Sequence, residues 1–199
     1  MNPEGLIQLD QRATLWLNGL HSPFTDQLWA LFSDTKIWFP AYLFIAFMMF
    51  RKLGWKRALI VVASLVVTVV LTDQISNLIK NSVMRLRPCY CASMLEGGLW
   101  WPLPRRGFYG FFSGHSSNAF AFAAASTIGF SNGKNCCSKA YIIGVFVWAA
   151  LVALSRVFMA MHYLGDIAVG MIFGLVMGTA IGFLTRFLIK TIVKTPANY

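Results

Sequence analysis

From Ser155 to Asp166 the chain reads Ser-Arg-Val-Phe-Met-Ala-Met-His-Tyr-Leu-Gly-Asp, which sets Arg156, His162 and Asp166 at the junction of two long apolar segments. Ionisable side chains near a lipid core are costly, and they usually face a cavity and do chemistry there. Two further groups stand at the ends of other apolar segments: Lys80 with Arg87-Pro88, and Ser113-Gly114-His115. Cations and imidazoles at three segment ends suggest one pocket built for an anion, most simply phosphate.

Each group has its own logic. Lys80 and Arg87 are seven residues apart, so on a continuous helix they share a face two turns apart, with Arg85 pointing elsewhere. A point charge and a forked donor together suit a tetrahedral dianion, although both residue types also snorkel at span ends. Ser113 is a good N-cap, and Gly114 lets a ligand approach the backbone. The unpaired N–H groups of a helix start then form an anion site with His115 beside a phosphate oxygen. His162 and Asp166 are four residues apart, so one helical turn would let the carboxylate receive an imidazole N–H and leave the other nitrogen free to attack. A lone His–Asp pair is more often structural; its position on the same side as the other two groups favours the catalytic reading.

The elements that must position these residues are membrane spans. The chain is 57% hydrophobic and 12% charged, too little charge to cover a soluble domain of 199 residues. Long uncharged runs, extended by their flanking turns, reach the roughly 20 residues needed to cross about 30 Å of hydrocarbon. We expect an all-α membrane bundle of five or six spans forming a single domain over 1-199. The spans run from Ile37 to Phe50 with a kink at Pro40, Arg57 to about Leu86, Ser113 to a turn at Asn132-Gly133, Ala140 to about Met161, and Gly165 to about Ile189. Residues 1-33 lack the pattern of a cleavable leader. Leu6, Leu9, Ala13, Trp16, Leu17 and Leu20 form a stripe opposite Gln8, Asp10, Gln11 and Arg12, suiting an interfacial helix or an amphipathic span.

A net charge of +10 raises the question of nucleic acid, but its placement answers it. Arg51, Lys52, Lys56 and Arg57, then Lys134 and Lys139, then Arg186, Lys190 and Lys194 alternate with the candidate catalytic ends, which is the positive-inside pattern. The long polar loop Pro88 to Phe112 pairs Trp100-Trp101 with Arg105-Arg106, either as a collar at lipid headgroups or as a loop that only anchors the bundle. Cys89 with Cys91, and Cys136 with Cys137, fall in opposite loops, so neither a disulfide nor a metal site is expected.

Lys80-x6-Arg87-Pro88, Ser113-Gly114-His115 and Ser155-Arg156-x5-His162-x3-Asp166 together resemble the three-part signature of the type 2 phosphatidic acid phosphatase superfamily. The resemblance covers residues 80-166, and order and spacing of all three parts make it specific; Phe112 stands where that family usually has Pro. It implies a PAP2/haloperoxidase-like helical core and metal-independent, cofactor-free hydrolysis of a lipid phosphate ester or anhydride. His162 would attack phosphorus, Asp166 would orient it, and His115 would protonate the leaving oxygen. Lys80, Arg87, Ser113, Gly114 and Arg156 would bind phosphate. Fixed cations can supply the charge neutralisation that phosphoryl transfer needs. The expected partners are a lipid phosphate or diphosphate and the surrounding membrane lipids. On family grounds the substrate is undecaprenyl diphosphate or phosphatidylglycerophosphate, at a bacterial inner membrane with the site facing outward. A lipid A phosphatase, or a binder or transporter without turnover, is the alternative.

Overall fold

A computed structural model describes residues 2–102, 104, 107–131 and 137–193. The helices are α1 (Pro3–Asn18), α2 (Pro23–Ser33), α3 (Phe39–Leu53), α4 (Trp55–Val83), the short α5 (Ala92–Glu96), α6 (Gly114–Phe130), α7 (Lys139–Phe158) and α8 (Leu164–Ile192), with 3₁₀ turns at Thr35–Trp38 and Pro88–Tyr90. Local sequence explains the boundaries. Asn2, Ser22, Asp34, Ser113 and Ser138 each accept a backbone N–H from the turn they precede. The predicted kink at Pro40 is absent, because Pro40 falls in the first turn of α3, where its missing N–H has no partner to lose. The second predicted span also stops earlier than Leu86. Met84 turns left-handed at φ 51° and its N–H closes on the Lys80 carbonyl, so α4 ends at Val83.

Among the described residues, α4, α7 and α8 are long and apolar enough to cross a membrane. With 15 and 17 residues, α3 and α6 fall short of the usual crossing length. At the centre lies α6, buried on nearly every side and packed against α4, α7 and α8. A helix apolar all round is an enclosed helix. Its closest neighbour is α8, which turns Gly170, Gly174, Gly178 and Gly182 toward it. A Cβ on Gly174 would sit 2.3 Å from the Ser117 carbonyl oxygen, and one on Gly178 2.3 Å from that of Ala121. Small residues every four positions thus bring the two main chains together, a device suited to a medium without hydrophobic drive between helices.

The N-terminal helix is amphipathic as expected, but it is turned inside out relative to a soluble helix. Leu6, Leu9, Trp16 and Leu20 are exposed, while Thr14 and Asn18 are completely buried. Asp10, Thr14 and Asn18, spaced by four, face the protein, and Asn18 donates to the Trp100, Val157 and Phe158 carbonyls. Trp100 is held in return: its N–H donates to Asn18 Oδ1 at 2.9 Å, its ring stacks on His21, and its indole N–H reaches Asp26. Those contacts favour the anchoring reading of the Trp100 loop. Arg105, Arg106, the Asn132-Gly133 turn, Lys134, Cys136 and Lys194 lie outside the described residues.

Candidate active site

His162 lies in the turn between α7 and α8 and is 2% exposed. Arg156 holds that turn through its carbonyl, which accepts from the Met161 and His162 N–H groups at 2.9 and 3.2 Å. Ala160 makes the reversal in the left-handed region at φ 54°. The predicted geometry of the His–Asp pair is corrected in one respect. His162 is not helical; Tyr163 is the N-cap of α8, and Asp166 is its third residue, accepting the Tyr163 N–H at 3.1 Å. The His162 ring still meets Asp166, with Nδ1 3.6 Å from Oδ2, slightly beyond hydrogen-bond length. Catalytic hydrogen bonds of unliganded enzymes are commonly this loose and tighten with substrate.

Arg85 does not point away from the site. Its two terminal nitrogens bridge Asp166 Oδ1 at 2.6 Å and Asp10 Oδ2 at 2.7 Å, and its guanidinium lies 4.0 Å from the Tyr163 ring centre. Asp10, on the polar stripe opposite Leu6 and Leu9, also accepts the Gly165 N–H at 2.7 Å, while Thr14 accepts the Leu164 N–H at 2.9 Å. The first N–H groups of α8, which no intrahelical carbonyl can reach, are therefore capped by side chains of α1. The four-residue spacing of Asp10, Thr14 and Asn18 was the legible signal for this face. Nothing local in the sequence pairs Arg85 with Asp10.

The phosphate-binding candidates converge from four elements. Lys80 is the last cation of α4, and its Nζ donates to Ser76 Oγ at 3.3 Å and Asn77 Oδ1 at 3.2 Å. Arg87 does not share its helix, since α4 has already ended. It directly follows Leu86, which forms an isolated antiparallel bridge with Tyr109, and its N–H is bonded to the Phe108 carbonyl and its Nε to the Tyr109 carbonyl. Arg156, in the last turn of α7, reaches the buried Ser33 hydroxyl. Ser113 caps α6, and its own N–H donates to the Asp166 carbonyl at 3.1 Å, tying the start of α6 to the start of α8. Gly114 favours close approach: a Cβ there would lie 3.0 Å from Ser76 Oγ and 3.1 Å from Lys80 Nζ. Phe112, in the place of the family's Pro, is buried against Phe173.

Electrostatics follow from this convergence. Burial first, then the nearby cations Arg156, Arg87 and Lys80, push the His162 pKa well below the ordinary histidine range. The imidazole is therefore neutral and nucleophilic at neutral pH. The same three cations and His162 lie within electrostatic reach of His115. His115 Nε2 is 3.4 Å from Thr35 Oγ1 and borders a cavity of about 590 Å³ between α3, α4, α6 and α7. Aliphatic and aromatic side chains such as Tyr42, Val66, Phe122 and Trp148 form most of its wall. One end of the bundle thus combines a neutral buried imidazole, a carboxylate beside it, three cations, a helix start and a second imidazole opening on an apolar cavity.

The chain has counterparts among known proteins. Residues 57–190 match the family model of the PAP2 superfamily. The lipid A 4'-phosphatase of Bacteroides thetaiotaomicron is 30% identical over 175 residues, 86% of this chain and 74% of that protein. The lipid A 4'-phosphatase of Porphyromonas gingivalis is 30% identical over 176 residues, 86% and 72%. In fold, the transmembrane PAP2-type phosphatidylglycerolphosphate phosphatase of Bacillus subtilis superimposes with a TM-score of 0.61 at 19% identity, covering 98% of this chain and 89% of that one. LpxE of Aquifex aeolicus gives the same score and identity over 85% and 92%. With its sequence signature, its helical bundle and two thirds of its length accounted for, this chain belongs to the PAP2 superfamily, as a multi-pass membrane lipid phosphatase.

Proposed function

We propose that the protein hydrolyses a phosphate monoester on an acylated sugar lipid, with lipid A 4'-phosphate as the leading substrate. The observation that carries this reading is the pair of lipid A 4'-phosphatases that match across most of the chain. Undecaprenyl diphosphate and phosphatidylglycerophosphate, expected first from the family signature, become the comparison substrates.

In the proposed mechanism the dianion is held by Lys80, Arg87, Arg156 and the first N–H groups of α6, which Ser113 and Gly114 open to it. His162 Nε2 attacks phosphorus as the ester P–O bond breaks, and His115, protonated once the bound dianion offsets the surrounding cations, gives its proton to the departing alkoxide. Water then attacks the phosphohistidine, its proton passing to His115, and the P–N bond breaks to release phosphate. Asp166 faces Nδ1 and balances the positive charge the ring carries in between. Preoriented cations supply the charge stabilisation, so we propose that no metal is required. Among the described residues no three His, Cys, Asp or Glu side chains gather as metal ligands, which supports that reading.

We further propose five or six spans in a bacterial inner membrane, with the basic loops cytoplasmic and the site outward. The purified protein should be assayed for phosphate release from lipid A, phosphatidylglycerophosphate, phosphatidic acid and undecaprenyl diphosphate, with and without EDTA. Release from the 4' position of lipid A, unchanged by EDTA, is the expected result. A clear preference for another of the four lipids would overturn the substrate reading, and loss restored by Mg²⁺ or Zn²⁺ the metal reading.

A further inference from the structure

We propose that Asp73, with Asn118, recognises a hydrogen-bond donor on the alcohol side of the scissile ester, and so selects an acylated sugar over an alcohol that has no such donor, such as diacylglycerol. This rests on the lipid phosphatase reading and narrows its substrate. Asp73 stands inside α4, two turns before Lys80, where a carboxylate has no obvious place. It is close to the phosphate site: Oδ1 is 3.7 Å from where a Cβ of Gly114 would be, on the same side as Lys80 Nζ and Ser76 Oγ. A negative charge there opposes anion binding, so a reader of phosphate alone would do better without it.

Its surroundings indicate what the charge serves. Asp73, Asn118, Thr35 and His115 share the wall of a cavity lined otherwise by aliphatic and aromatic side chains. His115 gives the leaving oxygen its proton in the proposed mechanism, so that cavity receives the leaving group. Thr72 donates to Asn118 Oδ1 at 2.5 Å, which turns the Asn118 amide nitrogen toward Asp73 Oδ1 at 3.5 Å; Asn77 donates to Oδ2 at 3.1 Å. A carboxylate has roughly four acceptor positions, so two amide donors leave capacity facing the cavity. A leaving group that suits these walls carries an O–H or N–H near the ester oxygen and acyl chains beyond it. An acylated amino sugar has both. Diacylglycerol and polyprenol have the chains but no such donor.

The test compares kcat/KM for a 4'-phosphorylated acylated glucosamine disaccharide with that for phosphatidic acid in the same mixed micelles, for wild type, Asp73→Ala and Asp73→Asn. A hydrogen bond to a charged acceptor is worth enough that its loss should lower the sugar-to-glycerolipid ratio about tenfold or more in Asp73→Ala. Asp73→Asn keeps the shape and one neutral acceptor, so its ratio should fall less; it also serves if the alanine variant does not fold. Equal losses on both substrates, leaving the ratio within about twofold in both variants, would mean that Asp73 acts through Lys80 or the fold and would overturn the inference. A wild type inactive on the sugar lipid but active on phosphatidic acid would instead overturn the substrate reading beneath it.

Discussion

Arg85 carries two carboxylates at once, and the consequences differ for each. Asp166 is completely buried, so Arg85→Ala would strand its charge in the interior, an effect of about 3–5 kcal/mol for a broken buried pair. Asp10→Asn is milder: the amide keeps an acceptor for the Gly165 N–H but no longer balances Arg85. We expect Asp10→Asn to fold with a reduced kcat and little change in KM, because Asp166 would be held less firmly against His162. A KM effect without a kcat effect would place Asp10 in substrate binding instead. His162 gives a separate check. Its pKa is depressed, so it stays neutral, and able to attack, as pH falls through the ordinary histidine range; the acid limb of kcat/KM should lie below that range. Arg87→Gln removes one of the cations that hold the ring neutral and should move that limb to higher pH while lowering the rate. A limb that does not move would argue that burial alone sets it. The eight candidate site residues could be picked out of the signature because each is a chemical type at a fixed spacing. Arg85 and Asp10 were not, because their meeting joins residues 75 positions apart, and only the packed fold creates it.

The glycines of α8 set a contest of known terms. Glycine in a helix costs about 1 kcal/mol relative to alanine, so Gly174→Ala would stabilise an isolated helix. Here the new methyl would lie 2.3 Å from the Ser117 carbonyl oxygen, and overpacking of that kind typically costs about 1–3 kcal/mol or more. We expect Gly174→Ala to lower the thermal midpoint in detergent and to reduce activity by spreading the starts of α6 and α8. Gly144 on α7 is the control: nothing lies within 4 Å of its missing Cβ, so Gly144→Ala should be neutral or slightly stabilising. If both substitutions act alike, the close approach of α6 and α8 is not what holds the site. Helix existence was readable from uncharged runs and caps, and α6 begins after Ser113 as its cap signals. The ends of α3 and α4 were not. Pro40 fits a first turn as readily as a kink, and the turn at Met84 needs a left-handed residue that no glycine announced.

At the scale of the molecule, Lys52, Arg57, Lys139 and Lys190 stand at helix ends remote from the signature residues. Lys52 at the end of α3 lies over the Phe130 ring at the end of α6, with its Nζ 5.6 Å from the ring centre, so those two ends are neighbours. Single cysteines near Lys134 and near Glu96, in a background without the native four, should react oppositely with an impermeant maleimide on intact cells. Labelling near Glu96 alone is expected; labelling near Lys134 alone would put the site at the cytoplasmic leaflet. The outward face of α1 carries a further implication. That helix leaves Leu6, Leu9 and Trp16 exposed while its other side caps the reacting turn, and it adds little to the main apolar core. Segments with few buried apolar contacts open at lower free energy than the whole. The protein should therefore have two separable failures: peeling of α1, which leaves Leu164 and Gly165 N–H uncapped, and melting of the bundle. On warming, or in a detergent that solvates Trp16 better than lipid does, amide exchange at Gly165 and loss of turnover should rise together. Both should come well before helical content falls, leaving an enzyme that is silent while still folded.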